Sequence, residues 1–216
     1  MRDSVELEGV VLFVQPVGEY DRRLVILTRE RGRITAFARG ARRPKSALIA
    51  VSNPFVFAVF TLYEGRDAYT LVSADAVDYF ESLPLQVPGA WYGFYFLELA
   101  DYFGRENLPA EETVNLLYVA LRALLRGQMP PELIRGVFEI RILTENGVYA
   151  PPDEADGLLT SARYAIRYAA ASPLPRLFSF SLEEEAASQL IREASRAVRR
   201  AVDRTFKSIA VIEEMS

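Results

Sequence analysis

A change in hydrophobic period near residue 80 constrains the fold of this 216-residue chain more than any other feature. Before it, short apolar segments alternate with turn signals, and Val5, Leu7 and Val11 follow the period of two that is typical of a half-buried strand. After it, apolar residues recur three and four positions apart, as in amphipathic helices. The sequence therefore predicts an α+β protein, with a strand-rich domain over residues 1–80 and an α-helical domain over residues 81–216.

The strand-rich part contains five short strand patterns separated by turn signals. The predicted strands cover residues 5–13, 23–28, 33–39, 55–63 and 68–72. An open sheet of this size leaves one face unburied unless helices cover it, whereas closure into a small barrel buries the inward side chains. An OB-fold is the commonest barrel of this strand number, so we expect an N-terminal OB-fold β-barrel.

The helical part begins with an aromatic-rich segment, Trp91–Phe103, that is apolar nearly all round and indicates a buried helix. Pro109 and Pro130 each stand where a new helix is expected to begin. Ser181 has capping-box spacing to Glu184 and predicts the start of a long final helix. We therefore expect a helical bundle after the barrel.

The absence of Cys and His narrows the possible chemistry. It excludes disulfides, thiol nucleophiles, imidazole bases and zinc sites with sulfur or nitrogen ligands. The two lysines, Lys45 and Lys207, do not follow glycine, so a phosphate-binding GxxxxGK[ST] loop is absent too. A metal hydrolase built from carboxylates stays open in principle. The expectation is a protein with no cofactor and no enzymatic activity, whose function needs neither metal nor nucleotide.

A concentrated basic segment stands out in this acidic chain. It holds nine basic residues and one acid, Glu30, in a chain of net charge −4. Eight of the nine are arginines, which pair with phosphate through a planar fork of donors. The nine residues are Arg22, Arg23, Arg29, Arg31, Arg33, Arg39, Arg42, Arg43 and Lys45. Such asymmetry is typical of proteins that bind a polyanion, although a solvated basic face without a partner is an alternative.

The basic residues lie on predicted strands and on the loop after them, where OB-folds present a groove to nucleic acid. The residues predicted to bind DNA are Arg22, Arg23, Arg31, Arg33, Arg39, Arg42, Arg43 and Lys45. Tyr20, Phe37 and Tyr69 are candidates for base stacking, and Tyr20 is favoured because it lies in a loop. A stripe of arginines at 192, 196, 199 and 200 is a competing surface, or else a solvated helix face.

Several of these residues together resemble the RecO family of bacterial recombination mediators. The likeness is carried by Pro16–Asp21, Leu27-Thr28, Gly32, Ala38–Ser46 and Pro54-Phe55, and more loosely by Tyr95–Leu99, Phe138–Ile140, Gly147–Pro151 and Lys207-Ser208. Many family members hold a zinc ion with four cysteines after the turn at Gly147–Pro151. This chain has none there, so it resembles the zinc-free members, and the packing of residues 152–180 is left open.

The resemblance implies a helper of homologous recombination that binds single- and double-stranded DNA and anneals complementary strands. It also implies that the protein works with RecR to load RecA, and engages the C-terminal tail of single-stranded DNA-binding protein (SSB). No apolar run reaches the roughly 18 residues that cross a bilayer, and the acidic start of the sequence is unlike a secretory signal, so we expect a cytoplasmic, nucleoid-associated protein with no membrane role.

An acidic tail that ends in an apolar residue needs an apolar pocket with cations at its rim. In the helical half, Trp91–Phe103 offers apolar surface, and Arg135 and Arg141 are the predicted rim. Two other functions stay open from the residues alone: a protein-binding adaptor that acts through its helical domain, and an RNA-binding OB-fold module. Arginine pairs with phosphate and carboxylate alike, so the sequence does not separate them.

Overall fold

The computed structural model describes residues 4–152 and 157–215, which form two compact units. The first unit takes in residues up to Glu81 and the segment Leu97–Val114. The second comprises Ser82–Phe96 and the residues from Asn115 onward. The first unit thus includes part of the sequence with helical period, and the division of domains at residues 80 and 81 stays a prediction.

Five strands form a closed barrel in the first unit. They are β1 (Ser4–Val17), β2 (Asp21–Thr28), β3 (Gly32–Ala38), β4 (Phe57–Glu64) and β5 (Tyr69–Asp78). The order around the barrel is β1-β2-β3-β5-β4, and β4 pairs back onto β1. Only the β3–β5 pairing is parallel among these strands. This is an OB-like barrel, so the predicted α+β class with an N-terminal OB-fold is confirmed.

Strand β1 closes the barrel because it pairs on both sides. Its first half, Ser4–Val10, pairs with β4, and Gly9–Val17 pairs with β2. A bulge between Val11 and Phe13 bends the strand between these two partners. At Gly9 a Cβ atom would overlap the carbonyl oxygen of Leu27, so the close approach of β1 and β2 requires glycine there.

The barrel interior is filled by the inward side of each strand. In β3 the alternation places Ile34 and Ala36 inside and Arg33 and Phe37 outside. The buried cluster consists of Leu7, Val11, Leu24, Ile26, Ile34, Ala36, Ala38, Ala41, Val56, Ala58, Phe60, Leu62 and Leu71. Because the interior is packed with side chains, any ligand of this barrel binds on its outer surface or its loops.

Seven α-helices are present in the described part of the chain. They are α1 (Leu48–Val51), α2 (Gly89–Phe103), α3 (Glu111–Arg126), α4 (Pro131–Glu145), α5 (Thr160–Ala171), α6 (Glu184–Ala201) and α7 (Lys207–Met215). The four helices expected from periodicity correspond to α2, α3, α4 and α6. The prediction of a capping box at Ser181 was wrong, because α6 begins at Glu184 and its N-cap, Glu183, makes no side-chain capping bond. Nor is α6 the last helix.

The second unit packs α4 against α6. Gly136 of α4 makes room, because a Cβ atom there would come within 2.8 Å of Leu190 Cδ2 on α6. The rings of Phe96 and Phe138 stack with centroids 4.2 Å apart, and Tyr95 meets Phe206 edge-on at 5.6 Å. Across the described residues, every helix is too short or too polar to span a lipid bilayer.

Candidate nucleic-acid interface

The loop after β3, residues 39–46, is held against the turn between β1 and β2. The backbone N–H of Gly40 donates to Asp21 Oδ1 at 2.7 Å, and that of Arg42 donates to the Tyr20 carbonyl at 2.8 Å. Gly40 has φ +67°, a left-handed conformation that glycine adopts without strain. Ala41 is fully buried beneath the loop. The loop backbone is therefore fixed, and its charged side chains extend from a defined base.

Tyr20 forms an aromatic platform at this turn. Its side chain is 39% exposed, and the Arg43 guanidinium lies 5.1 Å from the centre of its ring. A hydrogen bond with Glu19 raises the pKa of the Tyr20 hydroxyl above its ordinary value. An exposed aromatic ring beside arginine is the arrangement with which single-strand-binding barrels stack bases and hold phosphates.

The exposed cations of the basic segment are concentrated on this loop. Arg39, Arg42, Arg43 and Lys45 are all exposed. The Arg42 guanidinium donates to the Gly18 carbonyl at 3.2 Å, which leaves its other N–H groups to solvent. None of the four forms an ion pair with a carboxylate in the parts of the chain that the structure describes. We call these four residues the cationic loop.

Arg22 and Arg23 point to opposite sides of β2, as adjacent strand residues must. Arg22 is a structural residue: its Nη1 donates to the Ser52 carbonyl at 2.9 Å, the Ser52 hydroxyl at 2.9 Å and Asn53 Oδ1 at 3.0 Å. Burial lowers the pKa of Arg22, and the positive charge of Arg42 contributes. Arg23 makes one long hydrogen bond, 3.4 Å, to the Thr35 hydroxyl.

Three further arginines of the segment are engaged by carboxylates. Arg29 pairs with Glu8 at 3.0 Å and with Glu111 at 3.3 Å. Arg31 pairs with Glu64 at 2.9 Å and donates to the Tyr69 hydroxyl at 2.7 Å, and these two bonds raise its pKa.

Arg33 belongs to the same group, and its Nε lies 2.6 Å from Asp101 Oδ1. Apart from Arg23, the structure thus separates the segment into a cationic loop and a set of arginines that hold the unit together.

Replacing Arg33 by alanine is expected to lower stability without lowering DNA affinity. Both partners of its ion pair are only 26% exposed, so losing the 2.6 Å bond should remove about 1–2 kcal/mol of unfolding free energy. Urea unfolding checks the first effect and fluorescence anisotropy with a single-stranded oligonucleotide checks the second. A loss of affinity of more than about threefold in the folded variant would return Arg33 to the DNA surface.

The other two stacking candidates are less available than Tyr20. Phe37 is half-buried on the outer face of β3. The Tyr69 hydroxyl accepts the bond from Arg31, whose guanidinium also lies 5.9 Å from the ring centre. Tyr20 is the candidate that shares a surface with the cationic loop.

The predicted rim of the partner-tail site, Arg135 and Arg141, is not brought together. Arg141 is only 12% exposed, and its Nη1 donates to the carbonyl of Ser172 at 2.8 Å while its Nε bonds to Glu145 at 2.7 Å. Ser172 is the C-cap of α5, so Arg141 satisfies the carbonyl end of that helix. These bonds hold Arg141 within the second unit, and its role in partner binding stays a prediction.

Arg135 instead lines a cleft of about 510 Å³ within the second unit. Its walls come from α2, α4, α6, α7 and the segment between α6 and α7. Two more arginines, Arg199 and Arg204, stand at the cleft, and Val198, Phe206 and Ile209 supply apolar surface. The sequence analysis missed Arg204 and Phe206. The signal that could have found them is an isolated aromatic, Phe206, after a polar turn and directly before the Lys207-Ser208 pair.

A buried carboxylate, Glu139, lies at this cleft. It is 1% exposed, and the Tyr95 hydroxyl donates to its Oε1 at 2.7 Å. Arg135 Nε is 3.9 Å from the same oxygen, while Oε2 has no hydrogen-bond partner in the described structure. Burial raises the pKa of Glu139, and Arg135 and the Tyr95 bond oppose the rise. The cleft is lined by three arginines and two carboxylates, Glu139 and Asp203, so it keeps a small excess of positive charge, which suits an anionic group.

The segment after Gly147–Pro151, whose packing the sequence left open, is only partly described. Residues 153–156 lie outside the described residues, and α5 follows at Thr160. Among the described residues, no cluster of three or more acidic side chains is arranged to hold a metal ion. The absence of a cofactor stays a prediction.

A closed OB-like barrel with an exposed cationic loop beside an aromatic ring is typical of barrels that bind nucleic acid. Comparison with known families agrees. The model of the recombination protein O N-terminal domain matches residues 1–80, and that of its C-terminal domain matches residues 89–153. The chain belongs to the RecO family of DNA repair proteins.

Curated relatives support this assignment. The DNA repair protein RecO of Acetivibrio thermocellus is 26% identical over 244 residues, which cover 98% of this chain and 97% of the relative. The RecO protein of Alkaliphilus metalliredigens is 35% identical over 67% of this chain and 58% of its own length. That of Exiguobacterium sibiricum is 33% identical over 65% of this chain and 56% of its own length. Several alignments thus span little more than half of the relative.

Proposed function

We propose that this protein is a non-enzymatic recombination mediator that binds single- and double-stranded DNA through the cationic loop and anneals complementary strands. In this role it helps RecR to load RecA onto DNA coated with SSB, and it works at the nucleoid. The observation that carries the proposal is the concentration of exposed cations, without carboxylate partners in the described structure, on a loop whose backbone is fixed against Tyr20.

Annealing requires charge neutralisation rather than bond-making, because two polyanionic strands must approach each other. Arginine side chains supply that neutralisation by releasing the counterions condensed on the strands. Phosphate contacts carry no base information, so the protein should bind all sequences about equally. Tyr20 adds a stacking surface that accepts any base.

The test is an annealing assay with complementary labelled oligonucleotides, run with the wild type and a cationic-loop variant. The wild type should accelerate annealing, and neither a chelator nor ATP should change the rate beyond their effect on ionic strength. Pull-downs with purified RecR and a RecA-loading assay on SSB-coated strands examine the partner steps. A wild type that neither binds nor anneals DNA would sink the proposal.

The partner tail is proposed to bind at the cleft that Arg135 lines. An acidic peptide with an apolar last residue would place its carboxylates near Arg135, Arg199 and Arg204 and its apolar side chain against Val198 and Ile209. The site predicted from the sequence also included Arg141, whose bonds to Glu145 and Ser172 leave it committed elsewhere.

Replacing Arg135 by alanine is expected to weaken binding of a labelled SSB tail peptide by about fivefold or more, because it removes a charge-assisted bond worth about 1 kcal/mol. Arg199→Ala should do the same, and it tests the cleft at an exposed residue whose loss does not remove the Arg135 contact with Glu139. The matched control is Arg141→Ala, which should lower stability and leave affinity unchanged. Fluorescence titration of the three folded variants measures these affinities. Full affinity in both Arg135→Ala and Arg199→Ala would show that the tail peptide does not bind at the cleft.

A protein-binding adaptor is the second candidate function, and the same cleft favours it. The two functions differ in what the cationic loop does. In an adaptor, the loop variant would keep all partner binding and show no DNA phenotype. An RNA-binding module would show a preference for RNA over DNA of the same sequence in a direct competition.

A further inference from the structure

Four arginines of α6 form one exposed face. Arg192, Arg196, Arg199 and Arg200 fall within an arc of about 100° on a helix of 3.6 residues per turn. All four are exposed, while Ala186, Leu190, Ala194 and Ala197 on the other side of α6 are buried. The arginine face therefore points to solvent, because burial of the apolar side of α6 fixes the orientation of the helix.

These cations have few partners. Arg196 pairs with Glu193 at 3.6 Å, with the arginine side chain 56% exposed, and Arg192 donates to the Ser188 hydroxyl at 2.6 Å. The Glu193 carboxylate is only 16% exposed, but the pair is long and its guanidinium faces solvent, so Arg196 is able to turn to another anion. Arg200 makes no hydrogen bond or ion pair in the described part of the chain.

The helix dipole explains only part of the face. Arg199 and Arg200 lie in the last turn of α6, where positive charge stabilises the helix terminus. Arg192 and Arg196 lie further from the end, beyond the reach of that effect. Two more exposed cations, Arg204 and Lys207, continue past the helix, so that residues 192–207 carry six cations and two carboxylates. A solubilising face would mix the two signs more evenly.

The arrangement suits a nucleic-acid backbone better than a protein. Arg192, Arg196 and Arg200 repeat every four residues, about 6 Å along the axis at 1.5 Å per residue, and so form a line of charge. A line of arginines matches a row of phosphates. The residues that flank this face, Gln189 and Glu193, are polar, whereas a protein-docking surface has an apolar or aromatic centre.

We propose that the arginine face of α6 is a second backbone-binding surface, which holds one strand while the cationic loop of the barrel holds another. Because the face has no aromatic residue, it contacts phosphates alone and accepts paired or unpaired strands. One molecule then neutralises two strands at once, which is what annealing needs. The inference rests on the proposed annealing function but concerns a different surface.

The test compares Arg192→Ala/Arg196→Ala/Arg200→Ala with the charge-conserving Arg192→Lys/Arg196→Lys/Arg200→Lys. Arg199 is left unchanged because it also lines the cleft. A matched control removes three exposed arginines elsewhere in the same unit, Arg126→Ala/Arg167→Ala/Arg176→Ala, and so gives the same net charge. Circular dichroism and thermal unfolding confirm that each variant folds.

Two readouts separate the surfaces. Annealing of complementary oligonucleotides should slow at least about tenfold in the alanine variant and stay near wild type in the lysine variant and the control. Energy transfer between two non-complementary labelled strands bound together should be lost in the alanine variant, while affinity for the first strand falls less than about threefold. The salt slope for the second strand should fall by about 2, from about 0.7 for each lost phosphate contact.

Wild-type annealing and co-binding by the alanine variant would overturn the inference and leave the proposed function intact. Loss of binding to an acidic protein partner, with annealing unchanged, would also overturn it, because the face would then dock a protein. An equal loss in the net-charge control would assign the effect to the overall field rather than to this face. Absence of annealing in the wild type would instead count against the proposed function.

Discussion

Replacing Arg39, Arg42 and Arg43 together by alanine is expected to weaken binding of single-stranded DNA about 100-fold near 0.1 M salt. Each phosphate contact contributes about 0.7 to the slope of log affinity against log salt. Three contacts therefore lose about 2 logarithmic units over the tenfold range from about 1 M, where the counterion term vanishes, to about 0.1 M. Arg42 donates one exposed hydrogen bond to the Gly18 carbonyl and Arg43 lies over the Tyr20 ring, so the loss of stability should be small, about 1 kcal/mol.

Anisotropy titrations at several salt concentrations check this expectation. The wild-type slope should be about −3 if the four cations of the loop each contact one phosphate, at the shallow end of the −3 to −4 expected for four to six contacts. The triple variant should keep a slope near −1, and the loss should be the same for any sequence. The lysine triple variant, which preserves charge, is the control. Unchanged affinity in the alanine variant at moderate salt would move the DNA surface elsewhere.

The barrel could be predicted from the sequence because its signal is local. Alternating residues such as Val5 and Leu7 mark a strand whatever lies far away, and five such patterns without covering helices call for closure. Strand β5 was predicted to end at Val72, but it runs to Asp78. The prediction fell short because the second half of the strand, with Ser73, Asp75 and Asp78, lacks the apolar composition that marks a strand.

Helix α5 was missed because its hydrophobic pattern is weak. The sequence of α5, TSARYAIRYAAA, is rich in alanine and buries only Ala162, Ala165, Ile166 and Ala169. Alanine favours helix strongly but carries a weak hydrophobic period. A count of propensity alone would have favoured a helix there.

The basic segment contains ion pairs between distant residues that could not be predicted from the sequence. Its charge predicted one DNA surface, yet Arg33 finds Asp101 and Arg29 finds Glu111, partners more than sixty positions away. No local sequence pattern predicts such long-range ion pairs. One local rule does apply: adjacent residues of a strand face opposite sides, so Arg22 and Arg23 could not both join one surface. Loop residues escape that rule, and the cationic loop is where exposure and charge coincide. Its role in binding DNA stays a prediction.

Replacing Gly32 by alanine is expected to destabilise the first unit by about 2–4 kcal/mol, because two independent penalties act at one position. Gly32 has φ +65°, which a side chain tolerates poorly. A Cβ atom there would also overlap the carbonyl oxygens of Arg105 and Leu108, and backbone atoms cannot rotate away. The segment they belong to is bound to β3, since the Arg33 N–H donates to the Arg105 carbonyl at 3.0 Å.

Gly18→Ala is the matched control for that experiment. Gly18 has φ +56°, but a Cβ atom there would meet nothing within 4 Å, so only the conformational penalty of about 1 kcal/mol applies. Urea unfolding of both variants should therefore give a clearly larger loss for Gly32→Ala. Equal losses would mean that the segment carrying Arg105 and Leu108 can withdraw from β3 without penalty. The difference between the two losses measures the contact alone, because backbone strain is common to both variants. A larger loss in Gly32→Ala would show that the turn before β3 is stabilised by residues from the helical part of the sequence.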